Sequence, residues 1–233
     1  MPCKVESNDT EITRDFMKDY KTRRLTFAGM ILLLAAVCGF ITWKVAAVGP
    51  DYVTAADLTV QQWFLGIRTE FLNPLVTILT HTTDTITIVI LCALLILSPV
   101  PGRLKYGVPV TLTALGDMAV YKTMKHIFLR QRPDVMYHIV EQGGYSFPSG
   151  HSATSVAVYG LLFYLIRKHC KNPLAKNILS GVCLFLAVSV GPSRLYVGVH
   201  WFTDVLAGWC IGGIAALTAI LILEKMEERY ERI

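Results

Sequence analysis

The stretch GGYSFPSGHSATSVAVYG, residues 143–160, changes character halfway along its length. Its first half is rich in glycine, serine and proline, the residues that form turns. His151 stands where the apolar second half begins, and a serine just before such a run is a common helix N-cap. We therefore expect a helix to begin near Ser149, with an ionisable histidine at its end.

Composition places this stretch in a membrane protein. The chain has 233 residues, of which 53% are hydrophobic, and a mean hydropathy of +0.48. These values are too high for an ordinary soluble domain and predict an all-α, polytopic membrane protein. The net charge of +5 does not indicate nucleic-acid binding, because the basic residues lie between apolar runs rather than in one patch. The six cysteines show no CxxC spacing, so they predict no metal or redox site.

Six apolar runs approach the roughly 20 residues that a helix needs to cross a bilayer. They cover residues 25–48, 82–97, 104–124, 152–166, 178–190 and 202–223. The first run is longer than the apolar part of a signal peptide, so we predict that it is retained. Residues 57–81 are amphipathic, with Pro74 interrupting them, and we expect one or two short helices at the interface.

These runs define the domain organisation and the expected topology. We predict a charged tail at 1–24, a six-span domain at 25–224 and a short tail at 225–233. An even number of spans places both tails on one side, and most of the 22 lysine and arginine residues fall on that side. Because cytoplasmic loops carry the excess of positive charge, both tails are expected in the cytoplasm of a cell-membrane protein.

Three polar segments collect at the opposite, extracytoplasmic ends of spans three to six. They are KHIFLRQRP at 125–133, PSGH at 148–151 and SRLYVGVHWFTD at 193–204. A phosphate ester needs several cationic and N–H donors, and Lys125, Arg132 and Arg194 fit that need. Ser149 and Gly150 would add a hydroxyl and the backbone N–H groups of a helix N-terminus.

Two histidines suit the two tasks of phosphate ester hydrolysis. His200 and Asp204 are four residues apart, so on a helix the carboxylate can hold one ring nitrogen while the other attacks phosphorus. His151 is then left as the general acid. Taken singly, these residues also have ordinary interpretations, such as cations that reach the headgroups or a pair that stabilises a helix start.

The patterns KxxxxxxRP, PSGH and SRxxxxxHxxxD resemble the signature of the type 2 phosphatidic acid phosphatase family of lipid phosphatases. The resemblance implies a six-helix core and a metal-independent reaction without cofactor, through a covalent phosphohistidine. It implies His200 as nucleophile, Asp204 as its orienting partner and His151 as the proton donor. The phosphate-binding residues implied are Lys125, Arg132, Ser149, Gly150 and Arg194.

The substrate implied is a phosphomonoester or diphosphate of a membrane lipid, with undecaprenyl diphosphate favoured. Phosphatidic acid and phosphatidylglycerophosphate are the alternatives. A function of another class is a lipid transporter or flippase that only binds an anionic headgroup; it explains the cations but leaves the HxxxD pair without a task. The sequence leaves open the lipid tail, the oligomeric state and the roles of Asp84 and Asp117.

Overall fold

The computed structural model describes residues 5–99 and 103–231, and all regular structure within those ranges is helical. This confirms the all-α prediction. Parts of both predicted tails, residues 1–4 and 232–233, lie outside the described residues. The helices are α1 (Val5–Val48), α2 (Ala55–Gly66), α3 (Leu72–His81), α4 (Thr85–Leu97), α5 (Arg103–Phe128), α6 (Gly150–Thr154), α7 (Gly160–His169), α8 (Pro173–Tyr196) and α9 (Phe202–Glu231), with a 3₁₀ turn at Val135–Tyr137 and a π-helical turn at Ser155–Tyr159.

Several of these helices are long and apolar enough to cross a membrane. Among the described residues, three segments qualify: Lys21–Val48, Pro173–Tyr196 and Phe202–Arg229. Helices α3 and α4 meet at 54° and would together make a fourth. Helix α5 and the continuous run from α6 to α7 cover the remaining predicted spans. The chain is therefore a membrane protein with several spanning helices, and the count of six stays a prediction.

The amphipathic segment forms the two short helices α2 and α3. Helix α2 begins with a capping box, in which Thr54 Oγ1 accepts from the Asp57 N–H and Asp57 accepts from the Thr54 N–H, both at 3.0 Å. The break between the helices falls after Gly66 and not at Pro74, so the expected interruption was misplaced. Pro74 lies in the first turn of α3, where its missing N–H has no helical partner to lose.

The apolar core lies between α4, α5, α7, α8 and α9. Its buried members are Ile88, Cys92, Val110, Ala114, Val158, Tyr159, Leu161, Leu162, Leu165, Cys183, Ala187 and Ile220. Large apolar side chains on the outside, such as Leu32 and Leu33 of α1, are exposed, as lipid-facing side chains of a spanning helix are.

Two glycines bring α9 against α6 through nearly bare backbone. A Cβ atom added to Gly208 would lie 2.5 Å from the Ser149 carbonyl oxygen, and one added to Gly212 would meet the Ala153 carbonyl oxygen. The Ser149 N–H also donates to the Asp204 carbonyl oxygen at 3.0 Å. The start of α6 is therefore fixed to the start of α9.

Ion pairs join the other end of the bundle. Arg24 of α1 lies 2.5 Å from Glu228 of α9, and Lys168 of α7 pairs with Glu227 of α9. Glu228 is on the same helix as Asp204 but about 35 Å further along, at 1.5 Å per residue. The part of α1 near residue 24 and the end of α9 therefore share one end of the bundle, and Asp204 lies at the other end.

Candidate active site

All eight predicted site residues lie at the Asp204 end of the bundle. They come from the end of α5, the loop 129–149, the start of α6, the end of α8, the loop 197–201 that carries His200, and the start of α9. His200 lies near enough to the other groups that the positive charges of Arg132, Lys125 and Arg194, and the ring of His151, act on it. Segments far apart in the sequence thus meet at one place.

The His200 ring is held between a carboxylate and a guanidinium. Its Nδ1 lies 3.3 Å from Asp204 Oδ2, and its Nε2 lies 3.2 Å from Arg132 Nη1. A guanidinium can only donate hydrogen bonds, so Nε2 must be the acceptor and Nδ1 must carry the proton. The Trp201 N–H donates to the same Asp204 oxygen at 2.9 Å and fixes the carboxylate. This arrangement leaves a lone pair on His200 Nε2.

The electrostatics of the site favour the neutral form of His200. Its pKa lies well below the ordinary value of 6.5, first because the ring is buried and then because the positive charges of Arg132 and Lys125 oppose a third charge. Burial also lowers the pKa of Arg132, to about 10, which leaves it charged at neutral pH. A neutral imidazole beside a guanidinium has the chemistry to act as a nucleophile next to an anion-binding group.

The three predicted phosphate-binding cations all contact a loop or a polar side chain of the protein. Lys125 Nζ donates to the Tyr145 carbonyl oxygen at 2.6 Å, and Arg132 Nη2 donates to the same oxygen at 3.0 Å. Arg194 donates to Thr80 Oγ1 at 2.7 Å and to Gln142 Oε1 at 2.5 Å. Its Nε is buried and has no hydrogen-bond partner in the part of the chain that the structure describes.

Ser149 and Gly150 both make structural contacts at the start of α6, and their part in phosphate binding stays a prediction. The Ser149 N–H donates to the Asp204 carbonyl oxygen, and the buried Ser149 Oγ accepts from Ser152 Oγ at 2.8 Å, so the N–H is occupied while the hydroxyl keeps its own proton to donate. A Cβ atom on Gly150 would lie 2.7 Å from the Tyr121 ring, so the glycine is required by packing against α5. The first N–H groups of α6, those of Gly150 and His151, remain as helix-end donors.

Arg130 is a member of the site that sequence reasoning missed. It is fully buried, with Nη1 2.5 Å from Asp204 Oδ1, Nη2 2.9 Å from Asp57 Oδ2, and Nε donating to the Tyr52 carbonyl oxygen at 2.8 Å. Asp57 in turn accepts from the Thr203 N–H at 2.8 Å. The sequence RQRP does not separate Arg130 from Arg132, because the distinction depends on a carboxylate from the distant helix α2.

Asp84 is the second residue of the site that sequence reasoning did not identify. Its contacts suggest a role for one of the two carboxylates whose roles the sequence leaves open. Its Oδ1 lies 2.8 Å from His151 Nε2, and its Oδ2 lies 2.6 Å from His81 Nδ1. Both carboxylate oxygens of Asp84 therefore contact a histidine ring. Asp117 lies deeper on α5 and accepts from Thr154 Oγ1 at 2.8 Å, which ties α5 to α6.

Comparison with known proteins shows the family of the chain. A family model described as the PAP2 superfamily matches residues 106–227. Phosphatidylglycerophosphatase B of Bacillus subtilis is 31% identical over 80% of this chain and 91% of its own length. An undecaprenyl-diphosphatase of Sulfolobus acidocaldarius is 35% identical over 36% of this chain and 39% of its own length.

A solved structure is similar as well. The crystal structure of a transmembrane PAP2-type phosphatidylglycerolphosphate phosphatase from Bacillus subtilis has a TM-score of 0.70 and 29% identity, covering 82% of this chain and 96% of that one. The relative that aligns over most of both chains and this solved structure are both named as phosphatases of the same lipid phosphate. The chain belongs to the PAP2 superfamily, as a multi-pass membrane phosphatase of lipid phosphate esters.

Proposed function

We propose that the chain hydrolyses its lipid phosphate at the extracytoplasmic membrane surface through a phosphohistidine formed on His200. The observation that carries this proposal is the contact between His200 Nε2 and Arg132 Nη1. It directs the lone pair of a neutral imidazole to the position where an arginine would hold a phosphate oxygen. An enzyme nucleophile needs this combination of an unprotonated nitrogen and a nearby positive charge, and the lone pair becomes free to attack when Arg132 donates to a phosphate oxygen instead.

The reaction has two steps. In the first, His200 Nε2 attacks phosphorus, the bond from phosphorus to the leaving oxygen breaks, and His151 gives that oxygen a proton. In the second, water attacks phosphorus, the phosphorus–nitrogen bond breaks, and His151 takes the proton from the water. Asp204 keeps the proton on His200 Nδ1 throughout, so the attacking nitrogen stays unprotonated.

Arg194 supports the presence of an anion in this site. Its buried Nε has no hydrogen-bond partner among the described residues, although its two terminal nitrogens are held by Thr80 and Gln142. Leaving a buried donor without an acceptor costs about 1–3 kcal/mol. A phosphate oxygen would supply that acceptor, and it would bring the negative charge that three clustered cations require.

Phosphatidylglycerophosphate is the substrate that the comparisons support best. The relative aligned over most of both chains carries that activity in its name, and so does the similar solved structure. Undecaprenyl diphosphate, which the sequence alone favours, is the second candidate, supported by the Sulfolobus relative of that name. Both present a terminal phosphate on a lipid, which is the part that Lys125, Arg132 and Arg194 would bind.

The sidedness of the site follows the distribution of basic residues. The end of the bundle that carries Arg24 and Lys168 is the end of the predicted cytoplasmic tails. The Asp204 end would then face the extracytoplasmic side, where a lipid headgroup in the outer leaflet can reach His200.

One set of measurements tests this function. Purified protein in detergent with EDTA should release inorganic phosphate from phosphatidylglycerophosphate, undecaprenyl diphosphate or both, and kcat/KM over the panel would rank them. Brief reaction with labelled substrate should give a protein-bound phosphate that is stable to base and lost in acid.

The variant His200→Ala should lose both turnover and label, whereas His169→Ala, at the other end of the bundle, should keep both. Labelling of His200→Ala at the wild-type level would refute the phosphohistidine on His200. Binding of the lipids by the wild type with no phosphate release would instead favour the transporter function.

A further inference from the structure

We propose that Asp84 is a positioning residue for proton transfer: it binds His151 Nε2, is fixed by His81, and so directs His151 Nδ1 at the leaving oxygen. The inference rests on the proposed function, because it assigns a partner to the residue that donates the proton. Asp84 lies outside all three motifs and immediately before α4, a helix that contributes no other group to the site.

The contacts form a continuous chain from the aqueous surface to the site. His81 is exposed at the end of α3, its Nδ1 lies 2.6 Å from Asp84 Oδ2, and Asp84 Oδ1 lies 2.8 Å from His151 Nε2. An ionised carboxylate only accepts hydrogen bonds, so both histidine nitrogens in this chain are donors. His151 therefore carries its proton on Nε2 toward Asp84, and Nδ1 is the nitrogen free to act on substrate.

The corner that holds Asp84 is fixed to the helix that holds His151. Tyr159, in the π-helical turn that continues α6, donates through its hydroxyl to the Thr82 carbonyl oxygen at 2.7 Å. The Thr87 hydroxyl donates to the His81 carbonyl oxygen at 2.9 Å, and the Asp84 N–H donates to the same oxygen at 3.2 Å. Two attachments, one at the histidine and one two turns along its helix, thus set the position of the carboxylate.

The chemistry of the step explains why a carboxylate is needed. When the bond from phosphorus to the leaving oxygen breaks, the Nδ1 proton of the His151 imidazolium moves to that oxygen, and His151 stays neutral with its Nε2–H on Asp84. In the second step Nδ1 accepts a proton from the attacking water and the imidazolium is restored. Burial of His151 and the positive charges of Arg194 and Lys125 disfavour that imidazolium, and Asp84 is the group that opposes them. The ionisable groups that act on His151 are Lys125 of α5, Arg194 of α8, His200 of the α8–α9 loop and Asp84, and His81 of α3 contacts Asp84.

The test compares two leaving groups in Asp84→Asn, with Asp51→Asn, an exposed carboxylate of the α1–α2 loop, as the matched control. With a lipid phosphate, whose alkoxide must be protonated, kcat/KM should fall roughly 100-fold, the scale of general acid catalysis. With p-nitrophenyl phosphate, whose leaving group needs no proton, kcat/KM should fall less than about 5-fold.

The basic limb of the pH profile of Asp84→Asn should also move to lower pH, because the His151 imidazolium loses its partner. His81→Gln should show the same dependence on the leaving group, with a smaller fall in kcat/KM. This variant tests the inference if Asp84→Asn does not fold stably.

Equal losses on both substrates in both variants would show a structural role and overturn the inference, as would an increase in kcat/KM with Asp84→Asn. A wild-type protein without activity on any phosphate would refute the proposed function itself. Wild-type activity with an unaffected Asp84→Asn would refute the inference alone.

Discussion

Arg130 Nη1 lies 2.5 Å from Asp204 Oδ1, and both side chains are completely buried. The carboxylate that orients the proposed nucleophile is therefore itself held by an arginine at a variable position of the first motif. Asp57 on the other side of the guanidinium, with its Oδ2 at 2.9 Å from Nη2, provides a second negative charge. Through Arg130, the interface helix α2 becomes part of the support of His200.

Replacing Arg130 with glutamine should destabilise the protein and reduce its activity. Breaking a buried ion pair by removing one partner leaves an unpaired charge and typically costs about 3–5 kcal/mol. Here two carboxylates, Asp57 and Asp204, would lose their partner. Thermal denaturation in detergent and phosphate release would measure the two effects. Arg103→Gln, at an exposed position on α5, is the control, and equal melting temperatures for the two variants would contradict the support assigned to Arg130.

The second prediction concerns the pH at which His200 becomes protonated. Its pKa is lowered by burial and by nearby cations, so the ring becomes protonated, and loses its nucleophilic lone pair, only well below pH 6.5. The acidic limb of kcat/KM should therefore lie below that value in the wild type. Arg132→Gln should move the limb to higher pH, because one repelling charge is removed, while Arg132→Lys should leave it low.

Comparison of these two variants on the same substrate cancels the ionisation of the phosphate itself. Both should bind substrate less tightly, because lysine lacks the forked donors of arginine. An acidic limb at the same pH in all three proteins would mean that Arg132 does not control the ionisation of the nucleophile.

Gly150→Ala should reduce stability because of the Tyr121 ring. The added methyl group would lie 2.7 Å from a ring carbon, closer than carbon atoms pack, and overpacking of this kind costs about 1–3 kcal/mol. Tyr121→Leu in the same protein should recover part of the loss. In a double-mutant cycle the two substitutions together should therefore cost less stability than the sum of their separate costs. Gly181→Ala, where the new methyl group meets nothing within 4 Å, should be neutral.

Arg194→Lys should weaken phosphate binding while keeping the charge. The ammonium cannot bond Thr80, Gln142 and a phosphate oxygen in the fixed geometry of the guanidinium. KM should rise about 10-fold or more, and inhibition by vanadate, an analogue of pentavalent phosphorus, should weaken in parallel. Arg167→Lys, exposed at the other end of the bundle, should change neither. An unchanged KM would separate Arg194 from the phosphate site.

The sequence predicts the proposed reacting groups better than it predicts their supports. His200 and Asp204 share a motif and do contact each other, although His200 lies in the loop before α9 and not on the helix face that the spacing of four suggested. The partners of Asp204 and His151, by contrast, are Arg130 and Asp84, and each acts only because an interface helix or a helix corner places it there. Local patterns cannot show such contacts, since these depend on how α2, α3 and α4 pack against the rest.

Helix boundaries show the same division. The apolar run at 202–223 predicts the start of α9 correctly, but the helix continues to Glu231 because Glu227 and Glu228 are stabilised by ion pairs with α7 and α1. Helix α8 likewise begins before its apolar run, at Pro173, where Asn172 accepts from the Ala175 N–H at 3.0 Å. Hydropathy detects the part of a helix in the hydrocarbon and not the capped or paired ends beyond it.

The close approach at Gly208 and Gly212 has a consequence for how different lipids are accommodated. Because Gly208 and Gly212 of α9 lie against the backbone of α6, the distance between these helices, and with it the spacing of the imidazoles at positions 151 and 200, has little room to change. The distance between the two imidazoles of the proposed reacting centre is thus fixed, and the phosphoryl group of every substrate must fit between them. Differences in chain length or headgroup size have to be absorbed by the surrounding helices, and selection for a new lipid would act there first.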